Sequence, residues 1–283
     1  MSTSILLALL CLALSSPSIL IINQAEAADV GLQLCLVLDG SSSVTTTEWN
    51  TTKESIADAV VAMVPRNSTV EITVVQFGYT SGDGYAAVEV SRTLITGSSY
   101  GTVANKIRDM TQGRGSTATV HGLYLAWKTL KGSSRFNASG RQVINLMTDG
   151  LPNVRNSNAT SDLDKSGSIN AKDDAIAVVT EATSQGLDEL DIEAIAMKQN
   201  DADWFKSWLV QPQPGIVAPP FTKAGWIRTL ANATEFKNTI NQKFEEVIPE
   251  FPPILLVPML IIVTIPITVV CLRRNAKRKS TVQ

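Results

Sequence analysis

Leu34-Cys35-Leu36-Val37-Leu38-Asp39-Gly40-Ser41-Ser42-Ser43 joins an unbroken apolar run to a carboxylate and two spaced hydroxyls. A run that is apolar on both alternating faces predicts a strand covered on both sides, as in a parallel sheet between helices. The end of such a strand lies at the carboxyl edge of the sheet, where open α/β folds place their ligands. Asp39, Ser41 and Ser43 follow at two-residue spacing on what must be a tight loop. One carboxylate and two hydroxyls there can converge on a hard cation, and oxygen donors with water suit Mg²⁺, Mn²⁺ or Ca²⁺ rather than zinc. The same residues also read as a turn followed by a helix cap, and the stretch alone leaves both readings open.

Downstream, Thr45-x-x-Glu48 is a capping box, and Trp49, Ile56, Val60 and Met63 recur at helical spacing until Pro65. Val70 to Phe77 and Ala87 to Ile95 read as two strands close enough to form an antiparallel hairpin. A helix is expected over Tyr100 to Met110, and another after the glycine-rich loop Gly113-Arg114-Gly115-Ser116-Thr117, with Leu123, Trp127 and Leu130 inward. Gln142 to Thr148 is a strong strand ending in Asp149-Gly150. A helix over 171–184, a strand over 190–196 and a short helix over 203–209 follow, then an edge strand around Ile216-Val217. A final helix begins at Asn232-x-x-Glu235 and carries Phe236, Ile240, Phe244 and Val247 on one face. Strands alternating with helices predict an α/β, Rossmann-like doubly wound fold, its sheet mostly parallel with one antiparallel edge strand.

Asp149 ends its strand as Asp39 ends the first, and Thr117 precedes a helix after a flexible loop. Taken singly, Asp149 is a turn residue and Thr117 a cap. Taken with Asp39-x-Ser41-x-Ser43, the three loops resemble the metal-ion-dependent adhesion site of von Willebrand factor A domains. The resemblance covers about residues 31–247, through Asp39-Gly40-Ser41-Ser42-Ser43, Gly115-Ser116-Thr117-Ala118-Thr119 and Met147-Thr148-Asp149-Gly150. It implies that Ser41 and Ser43 bind the metal through their hydroxyls and Thr117 directly or through water. Asp39 and Asp149 would act mainly through waters. A cation so held keeps unneutralised charge and takes a Glu or Asp carboxylate from a partner protein, an adhesive contact rather than a hydrolytic one.

A second oxygen-rich loop follows. Asp162, Asp164, Ser166, Gly167, Ser168 and Asp173 match the positions of a twelve-residue calcium loop, with Ser at its fifth position and Asp in place of Glu at its twelfth. The loop is a candidate for a second Ca²⁺; the other reading is a polar surface loop with Asp173 favourable to a helix dipole. Catalysis is not expected. His121 is the only histidine, is expected at the surface or rim, and no Gly-x-Ser-x-Gly nucleophile turn occurs.

The ends carry addresses. Ile5 to Ile22 followed by Ala25-Glu26-Ala27 reads as a secretory signal peptide, although the segment before it holds no Lys or Arg. Ile254 to Leu272 is an uncharged apolar run of membrane-spanning length, and Arg273, Arg274, Lys277, Arg278 and Lys279 place the following tail in the cytoplasm. Pro249-Glu250-Phe251-Pro252 before that span resembles the PEF-type sorting signals of archaeal sortase-like transpeptidases. That implies an archaeal surface protein cut near the motif and lipid-anchored; a plain single-pass anchor is the other reading. The chain thus divides into a signal peptide (1–27), an A domain (28–248) and a C-terminal anchor or sorting signal (249–283), with the motif at 249–252, the span at 254–272 and a basic tail at 273–283.

Between the signal peptide and the basic tail lie 19 basic and 25 acidic side chains, a balance that argues against nucleic acid as a partner. Of three cysteines only Cys35 lies in the domain, so no disulfide framework holds it. Sequons at Asn50, Asn67, Asn137, Asn158 and Asn232 fit a secreted glycoprotein. The expected function is metal-dependent adhesion or ligand binding at the cell surface, with Mg²⁺ (or Mn²⁺ or Ca²⁺) at the first site. The rival is a structural cell-envelope protein whose metal only stiffens the domain. A third reading, a domain regulating a metal-inserting enzyme complex, is cytosolic and disagrees with the two ends.

Overall fold

The apolar runs read from the sequence assemble into one six-stranded sheet in the order β3-β2-β1-β4-β5-β6. The computed structural model describes residues 31–78, 86–136, 140–154, 170–212 and 225–248. The strands are β1 (Leu32–Asp39), β2 (Asn67–Phe77), β3 (Ala86–Thr96), β4 (Arg141–Thr148), β5 (Glu189–Ile195) and β6 (Ile227–Leu230). β3 pairs antiparallel with β2 at one edge, and every other pairing is parallel. All eight residues of β1 are buried, which is what an apolar run on both faces requires.

The helices are α1 (Thr46–Met63), α2 (Tyr100–Asp109), α3 (Thr119–Lys131), α4 (Ala171–Ser184), α5 (Gln199–Trp208) and α6 (Ala233–Val247). Even-numbered residues of β1 (Leu32, Leu34, Leu36, Leu38) face a core with α1, α2 and α6. Cys35 and Val37 face the opposite core, with α3, α4 and α5. The Thr45–Glu48 capping box forms as expected and fixes where α1 leaves the Ser43 loop. At α6, Asn232 Oδ1 accepts from the Thr234 and Glu235 backbone, and Phe236, Ile240 and Phe244 are buried.

The sixth strand departs from expectation. It is Ile227–Leu230, four residues long and too short to show an alternating pattern in the sequence, while the strand expected around Ile216-Val217 lies outside the described residues. The signal peptide, the 249–252 motif, the 254–272 span and the basic tail lie outside them too. Among the described residues no helix is long and apolar enough to cross a membrane. Of the sequons, Asn50 is exposed on α1, Asn67 and Asn232 are exposed with Oδ1 bonded to nearby backbone, and Asn137 and Asn158 are not described.

Two packing features set the helices against the sheet. Gly122 in α3 has no side chain because a Cβ there would lie 2.7 Å from Phe77 and 3.1 Å from Val37. On the other face, Lys243 of α6 is 1% exposed. Burial pulls its ammonium down to about 8, against the opposing charges of Glu193 and Asp191. Arg228 sits across from Glu193 in the neighbouring strand. The Lys243 charge on α6 is thus opposed across the core by the fields of the β5 carboxylates, without a hydrogen bond to them among the described residues.

Gly122→Ala should lower stability by about 1–3 kcal/mol through overpacking, more than the roughly 1 kcal/mol that helix propensity returns. A lower urea midpoint with an unchanged slope is the expected reading. Lys243→Ala should cost about 3 kcal/mol or more, because it leaves buried carboxylates short of a cation. The same urea titration checks it.

Candidate metal centre

β1 and β4 are neighbours at the middle of the sheet, with Leu38 level with Met147, so Asp39 and Asp149 emerge on the same edge. Asp39 is 5% exposed. Its Oδ1 accepts the Ser41 backbone N–H at 2.9 Å, and its Oδ2 accepts the Thr148 hydroxyl at 2.7 Å. Ser41 Oγ and Ser43 Oγ lie 3.0 Å apart, and Ser43 Oγ donates to Asp149 Oδ1 at 2.9 Å. Four of the five expected residues therefore form one hydrogen-bonded chain from carboxylate to carboxylate.

Thr117 is brought to the same edge by its loop. Arg114 N–H donates to Gly40 O at 2.8 Å, Ser42 N–H to Gly115 O at 2.9 Å, and Asn153 N–H to Thr117 O at 3.1 Å. The glycine-rich loop is thereby fastened to both carboxylate-bearing loops. Thr117 is buried, but its hydroxyl is hydrogen-bonded to none of the other four. Nor does it cap α3: the cap position is Ala118, which makes no side-chain bond.

The backbone is shaped by contacts that no local pattern announces. A Cβ on Gly40 would fall 2.1 Å from Gln76 Oε1, and one on Gly78, at φ +109°, would fall 2.5 Å from Ser41 N. Gln76 occupies the space that Gly40 leaves; its Oε1 accepts Gly113 N–H at 2.8 Å and its Nε2 donates to Thr111 O at 2.9 Å. Gln112 Nε2 donates to Ser41 O and Val44 O at 3.1 and 2.7 Å. Arg114 holds φ at +59°, an uncommon conformation for a side chain of that size, where its loop crosses Gly40. Thr148, Gln76 and Gln112 position the site, and the sequence reading assigned them no role. Only Thr148 had a signal, through its place in Thr-Asp-Gly; the glutamines lie 35 or more residues from Ser41 and read as ordinary polar positions.

The electrostatics are those of an unbalanced site. Burial first, and then the Asp149 charge, push the Asp39 carboxyl up to about 6, while hydrogen bonds from Ser41 and Thr148 pull it back. Asp149 is raised as well, by burial and by Glu48, with the Ser43 hydrogen bond opposing. Among the described residues neither carboxylate has a basic partner. Oxygen donors only, two carboxylates and no counter-charge among the described residues make a donor set that could hold a hard divalent cation.

The second loop is tested at one end only. Asp162, Asp164, Ser166 and Ser168 lie outside the described residues. Asp173 is exposed in the first turn of α4, one turn after the N-cap Asn170. His121 corrects an expectation: it is 4% exposed inside α3, not at a rim. Burial lowers its pKa, with Asp174 opposing. The helix is sunk deeply enough at Gly122 that its neighbour is buried with it.

Comparison with known proteins bears on the fold. Among solved structures, the chain is similar to the pilus adhesin SpaC from Lactobacillus rhamnosus GG, at 15% identity and a TM-score of 0.57, covering 76% of this chain and 30% of that one. It is also similar to proximal thread matrix protein 1 from the mussel byssus with a zinc-occupied MIDAS motif, at 15% identity and a TM-score of 0.51, covering 77% and 48%. A third is the SpRpn10 VWA domain, at 13% identity and a TM-score of 0.53, covering 78% of this chain and all of that one. The chain thus spans less than half the length of the first two. No curated protein matches the sequence. The sequence profile of the von Willebrand factor type A domain matches residues 33–207, and the chain belongs to that family.

Proposed function

We propose that this domain is a divalent-metal-dependent adhesion or ligand-binding module, displayed on the cell surface and completed by a carboxylate from a partner protein. The observation that carries the reading is the hydrogen-bonded chain Asp39–Ser41–Ser43–Asp149 at one sheet edge, buried at Asp39 and Ser41, open at Ser43, and without a basic partner among the described residues. A cation held there supplies the positive charge that a Glu or Asp of the partner meets. Ser41, Ser43 and Thr117 offer it neutral oxygens, so they hold it without cancelling its charge. Asp39 orients Ser41 through the backbone N–H and is itself oriented by Thr148; Asp149 orients Ser43. The two carboxylates sit behind the hydroxyls and act through intervening water. Mg²⁺ is the favoured ion, with Mn²⁺ or Ca²⁺ compatible with the same donors.

The adhesin SpaC and the byssal matrix protein share this fold, and the latter's MIDAS motif holds zinc, which supports a binding role over a catalytic one. Surface display rests on the apolar run Ile254–Leu272, the preceding Pro249-Glu250-Phe251-Pro252 and the following basic cluster. The membrane and a sortase-like processing enzyme are the partners those segments imply. Asp162, Asp164, Ser166, Ser168 and Asp173 remain the candidate second calcium loop beside the first site.

Asp39→Ala should weaken Mg²⁺ binding about 10–100-fold, the usual effect of removing a group that orients metal ligands. Far-ultraviolet circular dichroism should show the variant folded. Attachment of cells or matrix to the immobilised protein should depend on Mg²⁺ in the native chain and be lost in the variant. Unchanged attachment by a folded variant would overturn adhesion through this site.

The pH dependence has a definite sign. A carboxyl raised to about 6 in the folded state contributes stability to the metal-free domain that is full below about pH 4 and lost as pH climbs through 6. A cation competes with that proton. The Tm rise on adding Mg²⁺ should therefore be largest above pH 6 and vanish near pH 4, as read by differential scanning calorimetry. A Mg²⁺ effect equal at pH 4 and pH 7 would contradict it.

A further inference from the structure

A recess of about 270 Å³ opens beside the candidate cation site, between the start of α1 and the carboxyl ends of β1, β4 and β5. It shares residues with the site: Asp39, Ser43 and Asp149 line it, together with Glu48. Its walls are mixed: Leu38, Val44, Trp49, Met147 and Ile195 supply apolar surface, and Thr45, Thr52 and Thr148 supply hydroxyls. It extends along α1 from Thr45 to Thr52, two helical turns or about 10 Å.

The chemistry of the walls selects the occupant. Among the lining residues there is no basic side chain and there are three carboxylates, so an anion is repelled from the interior. The volume falls below the roughly 300–1,000 Å³ of small-molecule pockets, yet exceeds the ~150 Å³ apolar cavity that takes up benzene. It suits one aromatic side chain. Trp49 adds a polar requirement: it is 3% exposed, and its indole N–H has no acceptor among the described residues. A buried donor without an acceptor is costly, and an occupant with an oxygen at its tip removes that cost. At the lip, Ala196 is held at φ +52°, its N–H bonded to Leu230 O at 2.7 Å. Strained backbone of this kind is found where a surface is shaped for a ligand.

We propose that the recess receives a tyrosine side chain of the partner, next to the carboxylate that completes the cation site. The domain then recognises an acidic–aromatic segment rather than any exposed acid. The ring lies against Leu38, Met147 and Ile195, and a small rotation of the Trp49 indole, whose Nε1 is buried in the free domain, lets the phenolic oxygen accept from it. This rests on the reading of Asp39, Ser41, Ser43, Thr117 and Asp149 as a cation site.

The test uses the full chain with ¹⁵N-labelled tryptophan and four probes. Three are blocked tetrapeptides, Gly-Asp-Tyr-Gly, Gly-Tyr-Asp-Gly and Gly-Asp-Ala-Gly, titrated with and without Mg²⁺. The fourth is p-cresol, which has no carboxylate. One of the tyrosine peptides should bind at least tenfold more tightly than the alanine peptide in Mg²⁺. Both it and p-cresol should shift the Trp49 indole resonance. Thr52→Met, which fills the recess, should remove the tyrosine advantage and leave the alanine peptide unchanged. Equal binding of tyrosine and alanine peptides, with both dependent on Mg²⁺, would overturn the recess and leave the cation site standing. Peptide binding indifferent to Mg²⁺, with p-cresol still shifting Trp49, would remove the cation reading beneath the proposal and so overturn it as well.

Discussion

Two carboxylates with no positive partner, held at the end of adjacent buried strands, are the constraint around which this domain is arranged. Asp39 and Asp149 meet because β1 and β4 are parallel neighbours that end at the same level. A parallel pair requires a crossover, and here the crossover contains α1, β2, β3, α2 and α3. The centre therefore joins loops more than a hundred residues apart, and no local segment can form it. The charge repulsion that remains is opposed by hydrogen bonds from Ser41, Thr148 and Ser43, which hold the acids in place rather than neutralise them.

The support behind those hydroxyls is built from backbone and amide groups. Gly40 and Gly78 allow the first loop to lie against Gln76 and the end of β2. Gln76 and Gln112 then tie residues 111–113 to the Ser41 loop without adding charge. Neutral support matters physically. A lysine or arginine in either place would compensate Asp39 and Asp149 internally and remove the charge imbalance on which the proposed cation site rests. The domain instead keeps its ion pairs elsewhere, as in the Arg108 pairs with Glu54 and Asp58 and the buried charges between β5 and α6.

A carboxylate that meets a cation is a weakly selective contact, since every protein surface carries Glu and Asp. In the proposal, the recess beside Asp149 would add shape to that contact, because its apolar wall residues and an indole N–H without an acceptor among the described residues set a second requirement on the partner. Affinity from charge and selectivity from a buried aromatic anchor is the division of labour common at protein interfaces.

Much of this was legible in the chain of residues. The apolar run ending at Asp39, the Thr45–Glu48 capping box and the alternation of strands with helices are short-range patterns, and they led to the sheet, its antiparallel edge and α1 through α6. β6 escaped because four residues carry too little periodicity, and His121 was misplaced because burial depends on how closely α3 approaches Phe77. The identities of the five oxygen-bearing residues were likewise set by sequence, since donor chemistry belongs to side-chain type. Their relation was set by tertiary structure alone. Strand order joined Asp39 to Asp149 and glutamines distant in the chain clamped the loops. The space between α1 and the ends of β1, β4 and β5 left the recess open, because these depend on contacts between segments that share no local pattern.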